Sequence, residues 1–122
     1  MSYIGGNIVA VIQIADSSGK KNAMGEKETG WNDAFSQVGW LGLQSGDSKY
    51  TNFSAKIEES THVFVCDYNK DIYALSIQNK GIRAILKGIV YDVLLIDNPD
   101  EMNEQLEIYL RRVGAWNGQS QI

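Results

Sequence analysis

The side chains that could do chemistry are few and scattered. The chain holds one cysteine, Cys66, and one histidine, His62, both inside the apolar run "THVFVCDY". Four residues apart on a strand, they share a face but stand two residue pairs apart along it, which argues against a thiol–imidazole pair. Cys66 reads as a small buried residue and His62 as a half-exposed or hydrogen-bonded strand residue. Together they offer at most two ligands, short of the usual metal site. Asp97, Asp100, Glu101 and Glu104 cluster around the single proline, Pro99. A carboxylate-pair hydrolase would need two of them facing each other across a cleft. They read as a solvated loop, with a weak cation site at Asp97 and Asp100 as the alternative. Dinucleotide, phosphate-loop and zinc-protease motifs do not occur. No catalytic residue, cofactor or metal is assigned, and no enzyme is expected.

The bulk properties point the same way. At 122 residues, 43% hydrophobic and 21% charged, the chain reads as one domain over residues 1–122, too apolar for disorder. Its net charge of −4 gives no general attraction to nucleic acid. The start "MSYIGGNIVAVIQIAD" lacks a basic region, so no signal peptide is expected. No segment reaches the ~20 apolar residues that cross a bilayer.

Most of the periodicity is two. In "EQLEIYLRR", Leu106, Ile108 and Leu110 alternate with Glu107, Tyr109 and Arg111, the pattern of a half-buried strand. "IVYDVLLID" is apolar on both faces and reads as a central strand. "GIRAILKGIVYDV" reads as a hairpin turning at Lys87-Gly88. "STHVFVCDY", "NIVAVIQIAD" and "SQVGWLGLQSGD" supply further strands, the last with Val38, Trp40 and Gly42 on one face. "NKDIYALSIQNKG" reads as a polar connection with a short strand. In "SKYTNFSAKIEES", Tyr50, Phe53 and Ile57 recur at i, i+3 and i+7 after Asp47 or Ser48, which predicts a short helix plugging one end or flank. The expected fold is mainly β, a small barrel of about six strands with one short α-helix, because closure removes the edges a small open sheet would expose.

Between the first strands lies "DSSGKKNAMGEKETGW", Asp16 to Trp31. It contains almost nothing that packs in a core before Trp31, and its charges nearly cancel. A polar loop of about fifteen residues is usually functional when it persists. Trp31 is the expected anchor at its base; Trp31, Trp40 and Trp116 all read as core or interface residues.

The order of Asp16 with Gly19, Trp31, "VGWLGLQSGDSKYTNFSAKI", "STHVFVCDY", "KGIVYDVLLIDNP" and "QLEIYLRRVG" resembles the head–tail joining, or head-closure (stopper), proteins of long-tailed bacteriophages. The resemblance covers about Ile8 to Gly114, and its strength lies in the order and spacing of the motifs. It implies a small β-barrel with a projecting loop, working as a structural virion protein of the neck. Such proteins form a ring, commonly dodecameric, below the portal and adaptor proteins of the head. The ring retains packaged DNA without sequence specificity and offers the tail, through its tail-completion or tail-terminator protein, a docking surface. In the family, the long loop can point into the channel. That gives Ser18, Gly19, Lys20, Lys21, Asn22, Met24, Glu26, Lys27 and Glu28 the expected role of a gating loop. The expected location is the virion, assembled in the bacterial cytoplasm.

Two other readings compete. A tail-completion or terminator subunit would be another small β-rich ring former. An oligonucleotide-binding barrel would use Tyr68, Tyr73, Tyr91 and Tyr109 as a stacking face, helped by Arg83, Arg111 and Arg112. The acidic total stands against the latter.

Overall fold

The alternating segments form six antiparallel strands among the residues that the computed structural model describes, which are 4–16, 24, 30–43, 60–78 and 81–116. They are β1 (Ile8–Asp16), β2 (Gly30–Leu43), β3 (His62–Asp67), β4 (Ile82–Leu86), β5 (Ile89–Asp97) and β6 (Gln105–Ala115). The sheet closes on itself in the order β1-β2-β3-β6-β5-β4. The closing seam pairs Val11 to Ile14 of β1 with Ile85 to Ile82 of β4.

Period-two alternation sends one residue of each pair inward. Ile8, Ala10, Ile12, Phe64, Cys66, Ala84, Leu86, Tyr91, Ile96, Leu106, Ile108 and Leu110 make the core. β5 is buried on both faces near its start, where inward Tyr91 and its outward neighbour Val90 are both sealed from solvent. Lys87 and Gly88 both take positive φ, 51° and 76°, the conformation a two-residue hairpin turn requires.

β2 is the long strand, and it changes partner midway. Gly30 to Gly39 pair with β1, and Gly39 to Leu43 pair with β3. Gly39 belongs to both ladders. A Cβ there would lie 2.5 Å from the Val65 carbonyl oxygen and 2.6 Å from the Phe64 ring. Only glycine permits that approach.

Two segments between the strands stand differently against expectation. The segment 48–59, where a helix was expected, lies outside the described residues. The segment "NKDIYALSIQNKG", expected as a polar connection with a short strand, instead forms helix α1 (Lys70–Ala74) and a 3-10 turn (Leu75–Ile77). The reason is local. Asn69 Oδ1 accepts from the backbone N–H groups of Asp71 (2.9 Å) and Ile72 (3.3 Å), capping the first turn. Ile72 and Leu75, three apart, then drop into the core with 0% and 4% exposure. A five-residue helix is unstable alone. Burying two such side chains, at roughly 1.5–3 kcal/mol each, outweighs that deficit.

Substituting Gly39→Ala is expected to cost about 1–3 kcal/mol, since neither the carbonyl nor the ring can retreat freely. Urea denaturation of the purified variant checks this, with no change in midpoint as the contrary result.

Candidate functional site at the foot of the first hairpin

β1 and β2 are consecutive and antiparallel, so residues 17–29 connect their ends at Asp16 and Gly30. The foot of that connection is the candidate site. Trp31 is the second residue of β2 and lies opposite Ala15. Its ring reaches across β1 to Gly81, where a Cβ would lie 3.6 Å from Trp31 Cη2. The Ala15 N–H donates to the Gly81 carbonyl at 2.9 Å, tying the same strand ends together. Trp31 is half-buried there.

A polar cluster extends beneath it on the outer face of the sheet. The Arg83 guanidinium carbon sits 4.4 Å from the centroid of the Trp31 ring, a cation–π contact. Arg83 Nε donates to Gln13 Oε1 at 2.6 Å, and Gln13 Nε2 donates to Asp33 Oδ1 at 2.6 Å. Gln13 and Arg83 are opposed residues of the closing seam. Both are buried, at 4% and 7% exposure. Burial lowers the Arg83 pKa, opposed by the Asp33 and Asp92 carboxylates. Arg83 Nη2 is buried with no hydrogen-bond partner among the described residues. Sequence reading missed this cluster. Its signal was a single polar residue inside each of two apolar strands, Gln13 in "AVIQIAD" and Arg83 in "GIRAIL".

Of the nine residues expected to form a gating loop, the described set contains one. Met24 lies in a turn and is 83% exposed. Ser18, Gly19, Lys20, Lys21, Asn22, Glu26, Lys27 and Glu28 lie outside it.

The other chemical candidates are dispersed. Cys66 is fully buried on β3, and burial with the neighbouring Asp67 charge pushes its thiol up to about 12. His62, at the far end of the same strand, has Nδ1 2.8 Å from Thr61 Oγ1 and its ring edge-on to Tyr91 at 5.0 Å. Burial and the Arg112 charge lower its pKa. Asp97 is held above the usual carboxylate range by burial and by the Glu107 and Asp100 charges. No group of three potential metal ligands occurs among the described residues.

The structure corrects the stacking-face reading. Tyr91 points inward at 2% exposure, and Tyr109, on the opposite face of the sheet, is 9% exposed with its hydroxyl donating to Glu107 at 2.9 Å. Tyr68 and Tyr73 pack on one another at 6.2 Å. Arg83 is buried, and Arg111 is engaged by Asp92 at 3.0 Å. Alternation on β5 and β6 sends the two buried tyrosines to opposite faces, so the four rings cannot form one platform.

A family model described as phage head completion protein matches residues 6–113. The chain belongs to the phage head completion protein family. It is therefore a structural protein of the bacteriophage particle, in a family that closes the head and works with the particle's other proteins. No individually curated protein matches it.

Two outcomes follow from the buried chemistry. Replacing Gln13→Leu alone strips Arg83 of its bonded acceptor and should cost about 2–3 kcal/mol, whereas Gln13→Leu with Arg83→Met should come close to neutral. A double-mutant cycle by denaturant unfolding measures the difference. For Cys66, an unfolded thiol ionises near its ordinary value of 9.0, while the folded thiol stays protonated to about 12. Its contribution to stability is therefore constant below pH 9 and declines as pH rises above it. Iodoacetamide at about pH 8, below that ordinary value, should label Cys66 only after unfolding. Rapid labelling of the native protein would contradict this burial.

Proposed function

We propose that this protein is a neck component, one domain over its whole length, that assembles as a ring below the portal and adaptor. The ring retains packaged DNA and presents the surface on which the tail docks. The observation that carries this reading is the family match across residues 6–113, taken with a long polar connection between two paired strands whose foot holds the Trp31–Arg83 contact.

The physical logic needs no catalytic residue. A ring joins unlike patches head to tail, so each subunit supplies two different surfaces. Copies of residues 17–29 converge on the inner rim, with Ser18 to Glu28 lining the channel and Trp31 fixing each loop to its barrel. The mixed charge of "DSSGKKNAMGEKETG" suits a gate that holds DNA by obstruction and then lets it pass, since a strongly basic rim would hold the phosphates.

Deleting Ser18 to Thr29 is expected to leave the barrel folded, with a thermal midpoint within a few degrees of the parent. Particles assembled with the shortened chain should lose their DNA. Measuring DNA per particle and tail attachment tests this; filled, tailed heads at the normal frequency would sink the gating role.

A further inference from the structure

Asp92 lies between two arginines. It is opposed across the sheet by Arg83 on β4 and by Arg111 on β6. Its carboxylate pairs with Arg111 Nη2 at 3.0 Å, and the side chains of that pair are exposed, at 48% for Arg111 and 41% for Asp92. Arg83, by contrast, is buried, with Nη2 unpartnered among the described residues. Asp33 is near Arg83 but is bonded by the Gln13 amide. Two guanidinium groups thus compete for the Asp92 carboxylate, and the exposed one holds it. An exposed ion pair contributes little, whereas a buried unpaired N–H is costly. Arg111 is exposed enough to meet a further carboxylate from outside. If an external carboxylate takes Arg111, Asp92 is released to its other cross-strand neighbour, Arg83.

The same chain carries a matching group elsewhere. From Asp97 to Glu107 there are five acidic residues and no basic one. Asp100, Glu101 and Glu104 are exposed. The loop is held rigid: Asn98 is buried and exchanges two bonds with Asn103, Nδ2 to Oδ1 at 2.8 Å and the Asn103 N–H to Oδ1 at 3.2 Å. A carboxylate presented on a fixed loop loses little freedom on docking. Asp92 lies five residues before Asp97 on β5, about 17 Å along the strand at ~3.3 Å per residue. The two halves are therefore complementary between copies and not within one.

We propose that in the neck ring the acidic β5–β6 loop of one copy, through Asp100 and Glu101, docks on Arg111 of the next, with Asp92 transferring to Arg83. This rests on the ring reading above and names the contact that builds it. A contact of this kind joins unlike surfaces, as a ring requires.

The test uses the full chain in assembled particles, fixed briefly with glutaraldehyde and resolved as a ladder of multimers. Arg111→Gln should reduce the multimer fraction at least tenfold. The purified R111Q protein should keep its thermal midpoint, because an exposed pair contributes little and Asp92 can then serve Arg83, so a lost ladder reports a lost contact and not unfolding. R111E should lose the ladder, and R111E combined with D100R and E101R should restore it. A ladder that persists in R111Q and R111E overturns this contact while the ring stands. Loss in R111Q with no effect of D100R/E101R overturns the copy-on-copy assignment in favour of another acidic partner. A parent chain that gives only monomer overturns the ring and this contact together.

Discussion

Everything in the barrel depends on four residue pairs, those joining Val11–Ile14 to Ile85–Ile82. They turn a curled sheet into a closed one and so give the inward residues a common interior. The seam has an unusual feature. Its pairs include Gln13 opposite Arg83, both buried on the outer face, bonded at 2.6 Å and covered by the Trp31 ring. A slip of one residue along either strand would turn Gln13 or Arg83 into the apolar core and expose Ile12 or Ala84. The polar pair therefore does more to define the register of closure than to strengthen it, which is the best-attested use of buried polar groups. Arg83 of the same pair also packs on the indole at the foot of the first hairpin.

The strands were legible because half-buried β structure writes its period directly into sequence. Leu106, Ile108 and Leu110 are all essentially inaccessible, while Glu107 and Arg111 are not. The hairpin at Lys87-Gly88 was legible because glycine next to a polar residue between apolar runs leaves few other solutions. Helix α1 was not, because one turn and a half gives no measurable period, and what makes it helical is a cap at Asn69 and two core contacts. The site was legible only in its aromatic part. Trp31 stood out at the end of a polar run, but its partner Arg83 bonds a residue 70 positions away. The stacking-face reading failed for a related reason: four tyrosines spread along a sequence share no face until register assigns them one.

Electrostatics divides the outer surface. The β5–β6 loop and the strand ends beside it carry acidic residues without compensating bases, to the point that Asp97 and Glu107 face each other directly across the ladder. Like charges so placed oppose one another, and the raised pKa of Asp97 records that cost together with its burial. The exposed arginines Arg111 and Arg112 lie farther along β6. A protein of net charge −4 arranged this way is repelled by DNA over one part of its surface, and that same part is attractive to a basic protein surface.

Apolar exposure complements this division. Val9 and Val38 are opposed across β1 and β2 and are 50% and 44% exposed, and Trp40, two residues on along the same face, is 47% exposed. Trp40 does not swing freely, since its indole N–H donates to the Ile4 carbonyl at 2.8 Å. In turn the Ile4 and Gly5 N–H groups donate to the Asp67 carboxylate at 2.8 and 3.2 Å. The N-terminal segment thus runs as a strap that fixes an indole on the outside of the barrel. An exposed aromatic ring whose polar edge is already satisfied offers an apolar face at small entropic cost, the property that distinguishes a contact residue from a stray surface hydrophobe. For a structural protein of the phage head, the chemistry is in such surfaces: a barrel whose register is set by one buried polar pair, and whose outer face carries fixed charges and a fixed ring.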